Sequence, residues 1–270
     1  MKKIIRIVIS GLAFLILTAL TSSSESIGLR AISSLASGIL GTIISALYET
    51  IDTHNQGVVT WLKTQVLYRN KNIRLSFAYL FRIEVDGKFL LVRGHRMENQ
   101  YQPIGGVYKV YDEGKSILNK IRAISDTAMG NSDETDDLRL QIKGRDYFVF
   151  WDWFKSMKDR EYDPRREFEE ELLETDLLPE DEFKKLRYRK VWEHNGGVTY
   201  SQPLRIYEVV YADIFEIILS DEQKQKIRDA VKLNPYNICL ALPDEMRCRR
   251  YGGSVQMNLG NNTPWLLGEE

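Results

Sequence analysis

The sequence predicts an α/β domain preceded by a two-helix transmembrane hairpin. Two observations support this fold class. Nearly all of the long uncharged sequence falls within the first 51 residues, while the remainder mixes charged, aromatic and apolar residues. In that remainder, strand-like runs alternate with a charged helix, further strands and a final helix. This order is typical of one compact α/β domain, here over roughly residues 73–265.

The overall composition excludes several classes of function. The chain has 37 basic and 38 acidic residues and a formal net charge of −1, so nothing indicates nonspecific binding of DNA or long RNA. Its two cysteines, Cys239 and Cys248, have neither the number of a disulfide framework nor the spacing of a zinc site.

The N-terminal segment contains two uncharged apolar runs, at residues 7–24 and 31–48, separated by a connection that carries Glu25 and Arg30. A membrane-spanning helix needs roughly 17–25 residues, so each run is about long enough. Backbone polar groups must pair within their own segment in hydrocarbon, which favours helices. We therefore predict two transmembrane helices within residues 1–51, followed by a linker.

Basic residues flank this hairpin on both sides. They predict that both chain termini are cytoplasmic and that the short connection lies outside; these residues are Lys2, Lys3, Arg6, Lys63, Arg69, Lys71 and Arg74. Two alternatives stay open. The first run could be a cleaved secretory peptide, which would leave one anchor and move the main domain out of the cytoplasm. Both runs could also form a buried hairpin in a soluble protein.

The second apolar run is rich in small residues at helical spacing. Ser34, Gly38 and Thr42 recur every four residues, and such rows allow helix backbones to approach closely in lipid. This pattern predicts pairing within the hairpin or association between copies of the chain, which makes a homo-oligomer the expected state.

Residues 52–72 are predicted to be a linker. A hairpin is predicted directly after them. Strand-like runs at residues 75–85 and 88–93 flank the pair Asp86-Gly87, which is a strong hairpin signal. The very aromatic run at residues 147–154 is compatible with either a strand or a packed surface.

A charged helix is predicted next. Asp163 suits the N-cap and Pro164 suits the first helical position. Phe168 and Leu172 lie four residues apart and are expected to face the core. Pro179 is expected beyond the end of this helix.

The C-terminal part predicts two strands and a helix. Residues 189–214 have the pattern of two strands around a glycine-rich turn. Residues 220–233 predict a helix with Ser220 as its cap, and with Glu222 or Gln223 near the third position of a capping box.

The charged helix carries the strongest chemical signal in the sequence. The stretch RREFEEELLE, residues 165–174, places Glu167, Glu170 and Glu171 at i, i+3 and i+4 on one helix face. Carboxylates at this spacing can converge on Mg²⁺ or Mn²⁺, hard cations that prefer oxygen ligands and neutralise phosphate charge. A solvated helix face is the alternative, because charge runs are commonly just that.

A strand and a glycine turn precede this helix. The segment KFLLVRGHRMENQYQPIGG, residues 88–106, ends in Gly105-Gly106, and together with REFEEE, residues 166–171, it resembles the Nudix hydrolase family. The resemblance implies a mixed sheet flanked by helices. It also implies a site that uses Mg²⁺, with Arg166 as the orienting residue and with metal ligands at Glu167, Glu170 and Glu171.

The chain departs from the family pattern at three places. Leu172-Leu173 stand where the family has a glycine, and Lys158 stands where it has a further glutamate. The glycines also lie far from Arg166 in sequence, which implies an insertion at about residues 107–161. These departures favour a Nudix-like domain over residues 73–270 that binds its ligand rather than hydrolysing it.

The same resemblance implies a nucleotide ligand near the glycine turn. Arg93 and Arg96 could contact phosphate, and Tyr101 could stack on a base. Gly105 and Gly106 would let the backbone approach the ligand. Core packing is the ordinary role of a tyrosine, and a surface role is equally compatible with the two arginines.

A transmembrane hairpin joined to such a domain resembles the two-helix transmembrane Nudix effectors of bacterial CBASS anti-phage systems. The resemblance implies that a partner nucleotidyltransferase makes a cyclic oligonucleotide and that the Nudix-like domain binds it. The helices would then oligomerise, disrupt the inner membrane and cause abortive infection. Two other classes stay open: a membrane-anchored, Mg²⁺-dependent hydrolase of a nucleoside diphosphate derivative, and a scaffold without nucleotide binding.

Overall fold

The structure is a computed structural model that describes residues 57–94, 99–126, 136–253 and 257–268. Within it, Trp61–Glu270 form one compact unit. The predicted transmembrane runs at residues 7–24 and 31–48 lie outside the described residues. In the part of the chain that the structure describes, no helix combines the length and the apolar character needed to cross a bilayer.

Twelve strands form two mixed sheets in the described ranges. In chain order they are β1 (Asn72–Arg82), β2 (Glu84–Val85), β3 (Lys88–Arg93), β4 (Gln100–Gln102), β5 (Gly105–Val107), β6 (Ile124–Ser125), β7 (Arg139–Lys143), β8 (Tyr188–Ser201), β9 (Ile206–Ile217), β10 (Ile238–Ala241), β11 (Arg250–Tyr251) and β12 (Met257–Leu259). The first sheet has the order β6-β7-β1-β9-β8 with β5 also on β1, and the second has the order β10-β3-β4-β12-β11 with β2 on β3.

Each sheet contains one parallel pair, β1 with β9 and β4 with β12, and its other pairs are antiparallel. The helices lie between and around these strands. They are α1 (Lys115–Lys120), α2 (Tyr147–Lys155), α3 (Arg165–Phe168), α4 (Glu180–Phe183), α5 (Asp221–Leu233) and α6 (Pro243–Cys248). Short 3₁₀ turns cover Asp112–Gly114, Gly144–Asp146 and Thr263–Leu267, and π-helical turns cover Lys63–Leu67 and Glu169–Leu173.

The predicted hairpin at Asp86-Gly87 is present, with φ of 53° at Asp86 and 76° at Gly87. Positive φ at both central residues is the requirement of a type I′ turn. Its first strand differs from the prediction, however, because the run at residues 75–85 is broken at Ile83. The longer part, β1, pairs in the first sheet, whereas β2 pairs with β3 in the second.

The long insertion is built into the first sheet. β5 and β7 lie against the same edge of β1, β7 along its first half and β5 along its second. Between them, Tyr108 N donates to the Phe77 carbonyl at 3.0 Å and Phe77 N donates to the Leu138 carbonyl at 3.2 Å. The chain therefore leaves β1 at Tyr108 and returns beside it at Leu138.

The aromatic run at residues 147–154 lies in a helix, α2, rather than a strand, and one face of that helix is packed in the core. Tyr147, Phe150 and Phe154 are buried, and their spacing of three and four residues is helical. The content of aromatic residues favoured a strand, but the burial of one helical face in the core decides the conformation.

A second correction concerns Gly196-Gly197, which the sequence predicts as the turn between two strands. The connection between β8 and β9 lies at residues 202–205, while Gly196-Gly197 fall inside β8 at a shift of register between Asn195 and Val198. These glycines therefore form a β-bulge rather than the predicted turn.

Helix α5 agrees with its predicted capping box. Ser220 Oγ accepts a hydrogen bond from Gln223 N at 3.2 Å, and Gln223 Oε1 accepts one from Ser220 N at 2.9 Å. Gln223, and not Glu222, is therefore the partner of Ser220.

Strand β1 lies between two hydrophobic clusters. Phe77, Tyr79 and Phe81 belong to the larger cluster, which includes residues of α2 and α3. Leu80 belongs to the smaller cluster together with Leu91 of the second sheet. The alternation along β1 thus packs helices on one face and the second sheet on the other.

Candidate functional site

The predicted charged helix is α3 continued by the π-helical turn Glu169–Leu173; residues 165–173 are called the glutamate helix below. Asp163 Oδ1 accepts a hydrogen bond from Arg165 N at 2.9 Å, which satisfies a donor of the first turn. Phe168 and Leu172 are fully buried, as their spacing predicts. π-helical turns are rare and frequently lie at functional sites.

The Gly105-Gly106 pair, predicted as a turn, begins strand β5 in the structure and packs directly against this helix. A Cβ atom at Gly105, whose φ is +148°, would lie 2.2 Å from the Tyr79 carbonyl oxygen. A Cβ atom at Gly106 would lie 1.9 Å from Glu167 Oε1. A side chain at Gly105 would meet backbone, and one at Gly106 would displace the Glu167 side chain, so the glycine pair favours the close approach of β5 to the helix.

Glu171 joins the helix to the same glycine pair. Its Oε2 accepts a hydrogen bond from Gly105 N at 3.1 Å. Burial and the nearby charge of Glu167 raise the pKa of Glu171 to about 8, although the bond from Gly105 acts in the opposite direction. Near neutral pH this carboxyl group therefore adds little negative charge to its surroundings.

Arg166 is the cation that the carboxylates contact. Its Nη1 lies 2.7 Å from Glu167 Oε1 and 3.1 Å from Glu170 Oε2, and its orienting role stays a prediction. Burial opposes a charged guanidinium, but the hydrogen bond to Glu161 and the neighbouring carboxylates outweigh it and raise the pKa of Arg166. Burial raises the pKa of Glu167, and the positive charge of Arg166 offsets part of this rise.

Glu161 is a member of the site that the sequence did not identify. Its buried carboxylate lies 3.0 Å from Arg166 Nε, and it also accepts a hydrogen bond from Lys109 N at 3.1 Å. The family pattern pointed to position 158, where this chain has a lysine. The available signal was an acidic residue a short distance from that position, but only the fold shows that Glu161 faces Arg166.

The predicted metal ligands do not form a metal site as they are arranged. Glu167 and Glu170 contact Arg166, and Glu171 accepts from the Gly105 backbone. Across the described ranges, no group of three or more His, Cys, Asp or Glu side chains is positioned to hold a metal ion. Carboxylates suit Mg²⁺ chemically, but here an arginine already neutralises two of them.

A cleft of about 420 Å³ lies beside the glutamate helix. Arg93, at the end of β3, and Glu171 both line it, so the cleft brings together two residues predicted for the site. The cleft also has polar residues that the sequence did not indicate, and its lining includes Arg93, Gly94, Glu171, Thr175, Leu177 and Asn237.

The other residues predicted to bind nucleotide have different positions. Gly105 and Gly106 support the helix rather than lining the cleft. Tyr101 is fully buried, and its hydroxyl donates to the Pro235 carbonyl at 2.6 Å. Its ring has no exposed face on which a base could stack, so core packing is its role. Arg96 lies outside the described residues.

Comparison with known proteins gives one match. No curated protein and no solved structure matches the chain. A family model described as the SMODS-associated NUDIX domain matches residues 72–267, and the two mixed sheets with their helices fit a Nudix-like domain. A SMODS-associated domain implies association with a CBASS nucleotidyltransferase system and with cyclic nucleotide signalling. The chain therefore belongs to the SMODS-associated NUDIX domain family, as a Nudix-domain effector of the CBASS type.

Proposed function

We propose that the Nudix-like domain binds a cyclic oligonucleotide messenger and that the N-terminal apolar runs then disrupt the bacterial inner membrane. The observation that carries this proposal is the cleft, in which Arg93 lies beside the glutamate helix. A guanidinium group is well suited to a phosphate, since it offers several N–H donors in one plane.

The lining of the cleft supports a nucleotide over a purely apolar ligand. Thr175 and Asn237 line it together with Leu177. These polar groups can form hydrogen bonds with a base or a sugar, and the apolar wall can contact a base face.

The arrangement of the glutamate helix supports binding without turnover. Arg166 contacts Glu167 and Glu170, so these carboxylates are engaged inside the protein. A messenger can shift a switch only by binding one state better than another. It need not be cleaved for that, and rapid cleavage would end the signal.

The membrane part of the proposal rests on the sequence. The runs at residues 7–24 and 31–48 have the length and composition of membrane-spanning helices. In the proposed mechanism, messenger binding favours an oligomer of the cytoplasmic domains. The rows of small residues in the second run then allow the helices to associate. The proposed location is the inner membrane, with both termini in the cytoplasm.

The test uses the full chain in lipid nanodiscs and a panel of cyclic di- and trinucleotides. We expect calorimetric binding of one of them, and Arg93→Ala to weaken it by about tenfold or more, since a hydrogen bond to a charged group contributes about 1.5–3 kcal/mol. Arg187→Ala is the matched control, because Arg187 is exposed and does not line the cleft.

A second measurement tests the membrane step. In liposomes that contain the full chain, the bound nucleotide should release an entrapped dye, whereas non-binding nucleotides should not. Absence of leakage with every nucleotide of the panel would contradict the effector proposal. Metal-dependent release of nucleotide products would instead favour the hydrolase, the function that the glutamate motif taken alone suggests.

A further inference from the structure

The segment just before the domain core is docked rather than loosely attached. Gln65 Nε2 lies 3.3 Å from both the Gly144 and the Arg145 carbonyl oxygens. Thr64 is fully buried, and a Cβ atom at Gly144 would lie 2.8 Å from the Thr64 carbonyl oxygen. The π-helical turn Lys63–Leu67 therefore packs tightly against the start of α2.

The opposite side of this turn exposes large apolar side chains. Leu62, Val66 and Leu67 are 48%, 55% and 60% exposed. In a π-helical turn, residues four and five apart in sequence flank the same side. Leu62 therefore neighbours both Val66 and Leu67, and the three side chains form one apolar surface.

Four exposed basic residues belong to this segment and to the turn on which it is docked. Arg69 and Lys71 follow the apolar surface in sequence, and Lys143 and Arg145 flank Gly144, which contacts the docked segment. Arg69 is tied to this second pair, because its carbonyl accepts a hydrogen bond from Arg145 N at 3.0 Å. Asp146 contacts Arg145 at 3.6 Å. Because the four basic residues outnumber this one acid, the group keeps a net positive charge.

We propose that this surface lies against the anionic headgroup layer of the membrane. It is called the basic-apolar surface below and consists of Leu62, Val66, Leu67, Arg69, Lys71, Lys143 and Arg145. Apolar side chains bordered by Lys and Arg are the composition of interfacial segments, in which the apolar groups enter the headgroup boundary. Basic residues close to an anionic surface add electrostatic attraction to it.

The position of the surface in the chain supports a lipid occupant. It follows directly on the segment that contains the two uncharged runs, so a bilayer is close to it if those runs span the membrane. The inference rests on this membrane part of the proposed function. The inference adds that the Nudix-like domain is held at the membrane in one orientation, because the same segment contacts the domain on one side and the lipid headgroups on the other.

The test is spin labelling of the full chain reconstituted in vesicles of phosphatidylcholine with phosphatidylglycerol. Cysteines are introduced by Leu62→Cys, Val66→Cys and Leu67→Cys, one at a time. The background is Cys248→Ser, since Cys248 is exposed and Cys239 is buried. Lys232→Cys is the control, because that side chain is 74% exposed and lies on helix α5, outside the docked segment.

We expect labels at all three apolar positions to collide with oxygen about threefold more often, relative to a water-soluble nickel chelate, than the label at position 232, as depth in the headgroup boundary requires. Unchanged thermal unfolding and nucleotide binding would show that the labelled variants are folded.

Three results would overturn the inference. Equal accessibility at the three positions and at position 232 would place the surface in water. Dipolar broadening between labels would show that a second copy covers it, and low accessibility to both reagents would show that the chain's own N-terminal residues do. Each of these outcomes leaves nucleotide binding and dye release free to succeed, so failure here is distinct from failure of the proposed function.

Discussion

The Glu171 carboxylate accepts a hydrogen bond from the Gly105 backbone at 3.1 Å, although 66 residues separate the two in sequence. This contact brings the glycine pair at the start of β5 and the glutamate helix together across the insertion. Gly106 packs on Glu167 and makes a second contact between the two segments. The two halves of the Nudix motif therefore meet in space, and a side chain added at either glycine should lower stability.

The first prediction concerns the two glycines. Gly105→Ala should destabilise the protein by about 3 kcal/mol, because its Cβ would meet the Tyr79 backbone and its φ of +148° is strained for alanine. Gly106→Ala should cost about 1–2 kcal/mol, because the obstructing atoms belong to the Glu167 side chain, which can turn away. Urea unfolding measures both.

Gly196→Ala is the matched control for this pair, since the nearest atom to its new Cβ would lie at an ordinary 3.6 Å. It should change stability by less than about 0.5 kcal/mol. If Gly106→Ala proved as harmful as Gly105→Ala, Glu167 would be held more rigidly than its side-chain contacts indicate.

The second prediction is a dependence of stability on pH that comes from Glu171. Its pKa is about 8 in the folded protein and 4.5 in the ordinary reference state, so folding takes up a proton between these values. Its contribution is fully present below pH 4.5 and is lost as pH rises through about 8. Within that window the slope for one proton is about 1.4 kcal/mol per pH unit.

Glu171→Gln removes this titration but keeps an oxygen that can accept from Gly105 N. We expect the variant to match the wild type near pH 5 and to be more stable near pH 8, measured by urea unfolding across the range. Glu174→Gln, which changes an exposed neighbour, should leave the wild-type curve in place. Parallel curves for the wild type and Glu171→Gln would contradict the raised pKa.

The third prediction concerns Glu161. Glu161→Gln leaves Arg166 without its most buried partner, and removing one member of a buried ion pair typically costs about 3–5 kcal/mol. Because Arg166 keeps its contacts to Glu167 and Glu170, we expect a loss at the low end, about 3 kcal/mol. Glu182→Gln, at an exposed position, is the control, and equal stability of the two variants would exclude a structural role for Glu161.

Part of the fold and of the candidate site could be predicted from the sequence alone. The Asp86-Gly87 turn, the Ser220 capping box and the buried pair Phe168 and Leu172 follow from local rules of φ, capping and helical spacing, and all are confirmed. Such features depend on residues within a few positions of one another, which is the range over which sequence patterns are informative.

The missed features depend on contacts between distant parts of the chain. Glu161 meets Arg166 because residues 159–161 run beside residues 109–111, and no periodicity encodes that pairing. Tyr101 has the composition of a stacking residue, but the second sheet buries it. The helix at residues 147–154 likewise forms because one of its faces is covered by β1, which overrides local propensity.

The fourth prediction concerns metal. Arg166 already contacts Glu167 and Glu170. We therefore expect nucleotide affinity, measured by calorimetry on the full chain, to be the same within about twofold with excess Mg²⁺ and with EDTA. If a hard cation bound to these carboxylates, its contribution would appear as a difference between the two affinities. The variant with Glu170→Gln and Glu171→Gln should retain messenger-induced leakage. A tightening of about tenfold or more with Mg²⁺ would show that the carboxylates rearrange around a metal and would favour the hydrolase.

The last prediction separates sensing from coupling. A Cβ atom at Gly144 would lie 2.4 Å from the Tyr68 carbonyl oxygen and 2.8 Å from that of Thr64, so Gly144→Ala should push the docked segment away from α2. The cleft around Arg93 has no lining residue in this contact. We therefore expect nucleotide affinity to stay within about twofold of the wild type while nucleotide-induced dye release falls by about tenfold, as a lost coupling free energy of about 1.4 kcal/mol would produce.

Gly252→Ala is the control for this experiment, because its new Cβ would meet Glu245 at an ordinary 3.4 Å, and it should leave both binding and leakage unchanged. Since Gly144→Ala acts on the connection between the domain and the N-terminal segment, it distinguishes two ways in which a messenger could act. If coupling runs through the docked segment, binding and leakage separate in this variant. If leakage stayed at the wild-type level, clustering of the domains alone would drive the membrane step, and a rigid connection would not be needed.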